Sequence, residues 1–333
     1  MKYLILVAAF ILFGLPVYAQ SKTDIKIEYS LPPGFDNTIS AKDYKTIVDL
    51  SVSILSKHYK VDHVEQGTVS VSNNKDTAAV NLDNLVKKCI DEKDHSKWQG
   101  IINNHFASLF NSIEAEKGID PTDFNKIKNY LSVRIYPDET IAQRGGRDNF
   151  VSKTDLEGTT TLLMLDLPQA FTPLQKKYFD LWHKSADEVF KAAISNVGKQ
   201  KMERLTKSFD ISGTQVEFSF LENEDYGASY ALDLSGNAPE MVGEWGSVVA
   251  FPNKGLVAIC KISHEKPVEF VKFIQKIKPL IEQSYSQGQS PISKEFFWYY
   301  QGKFTHIVVN TDATGNINVM APLGLSTLMV QKK

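Results

Sequence analysis

Five consecutive aromatic residues, Phe296-Phe297-Trp298-Tyr299-Tyr300, constrain this chain more than any other segment. In a strand, successive side chains point to opposite faces, so a run without a polar member leaves neither face suited to water. Two arrangements satisfy it. A strand covered on both faces buries the whole run under helices. Alternatively, Trp298 and Tyr300 lie on an open sheet face and stack on a sugar or grip an extended peptide. Pairing with Phe304 to Val309 across Gln301-Gly302-Lys303 completes a hairpin, and Ile317 to Met320 adds an edge.

Upstream, helices and strands come in blocks. Ser40 and Asp43 resemble a cap for a helix to about His58, with Tyr44, Ile47, Val48 and Leu55 on one side. Thr68 to Val71 and Ala78 to Leu82 flank an Asn73-Asn74-Lys75 turn. Ser96 with Gln99 opens a helix carrying Trp98, Ile102, Phe106, Leu109 and Ile113, which Gly118 ends. Leu131 to Tyr136 and Thr161 to Leu167 read as strands around a polar loop, Asp138 to Thr160. Later, Ser185 and Glu188 box the start of a helix that Gly198 stops, with Val189, Phe190, Ala193, Ile194 and Val197 as its stripe. A β pair follows, Val216 to Leu221 with Tyr226 to Leu234. Val248 to Phe251 and Leu256 to Ile262 then join through Pro252-Asn253-Lys254-Gly255. The helix after Ser263 carries Val268, Val271, Ile274, Ile277 and Ile281, and Pro279 bends it.

Such blocks, without regular βα alternation, predict an α+β fold. Each half runs helix, strand pair, helix, strand. The expectation is two similar α+β lobes with mostly antiparallel sheets packed against helices, over residues 40–180 and 181–333. The boundary falls between Pro168 and Ser185, and residues 20–39 form an extended leader with a Pro32-Pro33-Gly34 turn.

Met1 to Ala19 has the three parts of a secretory signal: Lys2, the apolar run Tyr3 to Leu15, and a small-x-small site at Val17-Tyr18-Ala19. The run is short for a bilayer span, and no later segment reaches that length. The chain therefore reads as exported, periplasmic or secreted, with no stable membrane span after cleavage; an uncleaved anchor is the other reading of this segment. Lys+Arg 37 against Asp+Glu 39 gives net −2, without the basic excess of a nucleic-acid binder. Export permits a disulfide between Cys89 and Cys260, the only cysteines, though both sit in patterns of ordinary small core residues.

Several segments resemble a known family, domain of unknown function 1444. They are Leu82-Asp83-Asn84-Leu85, Leu165-Asp166-Leu167-Pro168, and the Ser185 helix with Ala192-Ala193 and Ser195-Asn196-Val197. Asp225-Tyr226-Gly227-Ala228-Ser229, Gly246 with Val249-Ala250-Phe251-Pro252-Asn253, and Pro291-Ile292-Ser293 follow in the family's order. The resemblance covers roughly Ser40 to Val309. It implies the extent of the folded region and no chemistry, because the family carries no established activity. Its members are usually cytosolic, so the export signal is a departure.

No nucleophile elbow, phosphate loop or H-E-x-x-H helix is present, and no cofactor is implied. His58 and His63 flank Asp62, with Glu65 nearby, but their spacing fits no metal rule and suits a solvated helix end. His105 beside Phe106 reads as semi-buried. Glu222, Glu224 and Asp225 read as a polar β-turn at a hairpin tip. Arginine is more telling: of 37 basic residues only Arg134, Arg144, Arg147 and Arg204 are arginines. The planar guanidinium binds carboxylate or phosphate in paired contacts, and Gly145-Gly146 would let backbone N–H groups approach an anion. Arg134, Arg144 and Arg147 are thus candidate anion ligands. The competing reading is an internal clamp of an arginine onto Asp148 or Asp155, or simply a mobile surface loop.

Together these features favour a non-catalytic ligand- or peptide-binding, chaperone-like module, its partner a peptide, an acidic small molecule or a glycan. An envelope hydrolase with an unrecognised site is the alternative. A third reading makes the aromatic strand an oligomer interface.

Overall fold

The structure is a computed structural model that describes residues 25–31, 35, 38–65, 67–72, 77–116, 120–143, 146–148, 150–167, 170–288 and 290–330. The segment read as an export signal, the segments Pro32-Pro33-Gly34 and Asn73-Asn74-Lys75 read as turns, Gly118, Arg144 and Pro168 lie outside the described residues. The fold is α+β with mainly antiparallel sheets.

Two compact units divide the chain: Met1–Ile127 with Leu165–Pro173, and Lys128–Met164 with Leu174–Lys333. This division places residues 128–164 with the C-terminal part, whereas the sequence expectation set the boundary between Pro168 and Ser185. The segment after Lys128 belongs with the C-terminal part because its main chain is bonded there. The Asn196 amide donates to the carbonyls of Lys128 (2.8 Å) and Leu131 (3.0 Å), and Ser229 Oγ donates to Val133 O at 2.6 Å.

In the first unit, β1 (Lys26–Ile27) runs parallel to β2 (Lys60–Glu65), so the leader contributes a strand. Antiparallel β3 (Thr68–Ser72) and β4 (Thr77–Asn81) complete a sheet of order β1-β2-β3-β4. Helix α1 (Ala41–Leu55) begins where Ser40 Oγ accepts from Asp43 N, and buries Tyr44, Ile47, Val48, Val52 and Leu55 at helical spacing. Helices α2 (Asp83–Asp91) and α3 (Trp98–Glu116) add Leu85, Val86, Cys89, Ile102 and Phe106 to the same core. The cap before α3 is Asp94, which accepts from Ser96 N at 3.1 Å, not the expected Ser96. A short α4 (Phe124–Ile127) follows.

The second unit holds two further groups of strands. β5 (Leu131–Pro137), β6 (Ser152–Lys153) and β7 (Thr159–Leu167) lie in the order β5-β7-β6; the last residues of β7 and the adjoining β8 (Ala170–Pro173) are the part of the chain that divides with the first unit. Helix α5 (Asp138–Gln143) lies between β5 and β6, and α6 (Lys176–Phe179) and α7 (Ala186–Val197) follow β8, the last capped by Ser185 as its sequence predicts. The larger sheet contains β9 (Glu203–Ile211), β10 (Thr214–Glu222), β11 (Ser247–Ala250), β12 (Leu256–Lys261), β13 (Phe296–Tyr300), β14 (Lys303–Thr311) and β15 (Ile317–Met320). Its order is β15-β14-β13-β11-β12-β10-β9, antiparallel throughout.

Tyr226 to Leu234 is not a strand. It forms α8 (Gly227–Tyr230) and a 3-10 turn leading into α9 (Leu234–Asn237). Position decides this against apolar alternation. Ala228 N donates to Lys254 O, and a Cβ at Gly227 would stand 2.3 Å from Gly255 O, so the chain is pinned against the β11–β12 turn.

Helix α10 (Glu269–Gln287) covers one face of the large sheet through Phe270, Phe273, Ile274, Ile277 and Ile281, and α11 (Leu323–Val330) adds Leu325. Val268 precedes α10 and is exposed. Lys272 Nζ reaches Ile211 O on β9 at 3.5 Å, and Gln275 Nε2 reaches Ile317 O on β15 at 3.0 Å. Two residues one turn apart on α10 therefore touch opposite edges of the sheet, which curls around the helix as twisted sheets do. Among the described residues no helix is long and apolar enough to cross a membrane.

Candidate functional site

The aromatic run is covered on both faces. Phe296 and Trp298 pack in the α10 core, and Phe297 and Tyr299 are buried on the other side beside Phe251 and Phe304. Trp298 is 6 % exposed, donates from Nε1 to Trp245 O at 2.7 Å and lies parallel to the Tyr300 ring, centroids 5.0 Å apart. Tyr299 Oη donates to Ser235 Oγ at 2.9 Å. The open aromatic platform of Trp298 and Tyr300 is corrected accordingly: the indole has spent its donor and its faces inside the protein.

The arginines are drawn to internal carboxylates. Arg147 donates to Asp138 Oδ1 (2.6 Å), Thr154 Oγ1 (3.0 Å) and Thr159 O (3.4 Å). It is the clamp that the loop's chemistry allowed, closed on Asp138 at the start of α5 instead of Asp148 or Asp155. Arg134 on β5 meets Asp225, whose carboxylate also takes Lys254 Nζ at 2.7 Å. Arg134 and Arg147 thus serve different carboxylates, Asp225 and Asp138; Arg144, the third candidate, lies outside the described residues. Arg204 donates to Glu240 (2.6 Å), Tyr230 Oη (2.5 Å) and Asn237 O (2.7 Å).

Both cysteines are free and buried, and burial pushes the thiols up, to about 11 for Cys89 and about 12 for Cys260. His264 Nδ1 lies 2.5 Å from Glu244, and His306 Nε2 lies 3.1 Å from Glu295. His105 is held below its usual range by burial and by Lys88. Asn223 Oδ1 accepts from Asp225 N and Tyr226 N, so Glu222, Glu224 and Asp225 lie where β10 turns into α8, not at a hairpin tip.

What sequence reading missed is β9. It ends the large sheet, pairs among the described residues with β10 alone, and is exposed from Glu203 through Ser208. Ser212 (φ 53°) and Gly213 (φ 76°) form the two-residue turn that joins it to β10, and Ile211 pairs with Thr214. Two left-handed residues mark a type I′ hairpin, whose flanking pair exchanges both main-chain hydrogen bonds. Pairs alternate from there. Glu203, Leu205, Lys207, Phe209 and Ile211 bond to β10, whereas Arg204, Thr206, Ser208 and Asp210 turn their N–H and C=O groups away from it.

Three of these four outward residues are held by their own side chains. Arg204 is anchored as above, Thr206 Oγ1 lies 3.0 Å from Ser219 Oγ, and Asp210 accepts from Gly213 N at 2.9 Å. On the α10 face, Phe209 meets Phe218 and Phe218 meets Phe273, each at 4.7 Å. This aromatic ladder ends half-buried at the edge, where Ile211 packs on the same core and Leu205 stands exposed. An open depression of about 590 Å³ adjoins the start of β9, lined by Lys201, Glu203, Glu222, Asn223, Glu224, Gly255 and Leu256. The opposite edge, β15, has only four residues, and Gln275 occupies one of its carbonyls.

No family model matches the chain, and neither a curated protein nor a solved structure matches it. The family resemblance rests on its motifs alone.

Proposed function

We propose that this is an exported, non-catalytic binding module that takes up an extended polypeptide as an additional strand on β9. One observation carries the reading: a nine-residue edge strand, paired on one side, offers main-chain groups of Arg204, Thr206, Ser208 and Asp210 to a partner. Strand addition draws affinity from such groups and specificity from alternate side chains. Side chains that already hold β9 in place lower the entropic cost of binding. The sequence supplies the export component through Met1 to Ala19.

Ser208→Pro tests the reading. Proline there removes one outward N–H and leaves the bonds to β10 in place, as edge strands tolerate. Affinity for fluorescein-labelled nine-residue peptides of alternating valine and threonine should fall about tenfold, one lost hydrogen bond and its neighbour's distortion being worth about 1.4 kcal/mol. Ser208→Ala should bind as the parent does. Equal binding by parent and proline variant would remove the proposal.

One contact favours the hydrolase alternative: Ser70 Oγ lies 3.2 Å from His63 Nε2 on β3 and β2. Facing polar side chains also satisfy each other this way in ordinary sheets. Ester turnover lost in Ser70→Ala would favour catalysis.

A further inference from the structure

We infer that the polypeptide accepted by β9 is an amphipathic strand with charges in a fixed order, apolar-x-apolar-x-acidic-x-apolar-x-basic from its N-terminus. The inference rests on the strand-addition reading and deepens it. Alternation places Glu203, Leu205, Lys207, Phe209 and Ile211 on the α10 face of β9, and Phe209 and Ile211 pack there against the sheet core. An incoming antiparallel strand sets its own residues opposite these five. Because the outward bonds belong to Arg204, Thr206, Ser208 and Asp210, the five face the newcomer as non-hydrogen-bonded pairs, whose side chains approach most closely.

Each of the five then selects a chemistry. Ile211 and Phe209, met first, continue the apolar ladder. Among the described residues Lys207 has no ion-pair partner and is exposed, so it favours a carboxylate opposite it. Leu205, 42 % exposed, again favours an apolar side chain. Glu203 comes last, and the adjoining depression, where Glu203, Glu222 and Glu224 outnumber Lys201, favours a cation. The other face is undemanding, because Arg204 is engaged by Glu240 on the helical segment after β10, and Thr206 and Asp210 are engaged within the β9–β10 hairpin.

The same geometry disfavours a second copy of the chain. In the two-fold register that overlaps all nine residues, Lys207 meets Lys207 and Glu203 meets Ile211. A cation facing itself at mid-strand is how natural edges discourage self-pairing. The occupant is a different polypeptide.

Fluorescence anisotropy at low salt with two labelled peptides, Val-Thr-Val-Thr-Glu-Thr-Val-Thr-Lys and its charge-exchanged counterpart with Lys and Glu transposed, decides the matter. The first should bind the purified protein about tenfold more tightly, since two attractive pairs become two repulsive ones. Lys207→Glu should narrow or invert that preference, and Ser208→Pro should weaken both. Equal binding of the two peptides, with both weakened by Ser208→Pro, would overturn the charge order and leave strand addition standing. No binding of either peptide would overturn both. A dimer abolished by Ser208→Pro, seen by sedimentation, would replace the foreign strand with a second copy.

Discussion

The indole of Trp298 donates to the main-chain carbonyl of Trp245 at 2.7 Å, tying β13 to the segment that enters β11. Trp298→Phe keeps an aromatic ring but loses that bond and leaves unfilled space beside Gly324, whose added Cβ would stand 2.9 Å from the indole. The expected cost is about 2–3 kcal/mol, read as a lower urea midpoint with an unchanged slope. Peptide affinity should not change, because the ring is buried away from β9. A variant that folds as stably as the parent but no longer binds would restore the aromatic platform.

Gly246 sits at φ +80°, and a Cβ there would lie 2.0 Å from Tyr299 O. The obstruction is backbone on a neighbouring strand, which cannot rotate aside. Gly246→Ala should therefore cost more than about 3 kcal/mol. Gly213 has a similar φ of +76° but nothing within 4 Å, so Gly213→Ala should cost only about 1 kcal/mol of conformational strain. Paired denaturation curves separate the two causes. Equal losses would show that φ alone governs both positions.

How far the sequence exposes this architecture depends on what each element buries. Helix α1 and strand β13 are legible because their buried residues recur at 3.6 and 2.0 spacing, respectively, or fill every position. Strand β9 hides because an edge strand exposes both faces, and Glu-Arg-Leu-Thr-Lys-Ser shows no alternation that burial would impose. Its available signal was Ser212-Gly213 between Ile211 and Thr214, a turn dipeptide between β-branched residues. Tyr226 to Leu234 misleads in the opposite direction: apolar residues at every second position sit on short helices whose intervening residues, Gly227, Ser229 and Ala231, are buried as well. The Arg147 clamp was legible in kind, yet its carboxylate, Asp138, stands nine residues upstream across a fold in the chain.

That clamp sets a modest expectation. The Arg147 and Asp138 side chains are 42 % and 47 % exposed, so solvent screens the pair despite its 2.6 Å separation. Asp138→Asn should cost about 0.5–1 kcal/mol globally. Locally, amide exchange from Phe150 to Thr159 should quicken, because Asp138 also accepts from Thr160 Oγ1 and the clamp bridges Thr154 to Thr159. Binding of the β9 peptides should be unaffected. A large global loss with unchanged local exchange would contradict this assignment.

Asp312 closes the turn between β14 and β15. Its Oδ1 accepts from Thr314 Oγ1 at 2.6 Å, Asn316 N at 2.9 Å and Thr314 N at 2.9 Å. These donors, the threonine hydroxyl foremost, favour the carboxylate and hold its pKa at about 2. A folded-state value below the unfolded one means that the turn gains stability above about pH 4 and loses it as pH falls through about 2. Carboxyl ¹³C NMR should therefore show Asp312 still ionised at pH 3, when ordinary aspartates have mostly taken up a proton. Thr314→Ala deletes the shortest donor and should raise the midpoint toward the ordinary range, with the β14–β15 amide pattern retained. An Asp312 midpoint near 4 in the parent protein would show that the hydroxyl and the two N–H groups do not converge on the carboxylate in solution.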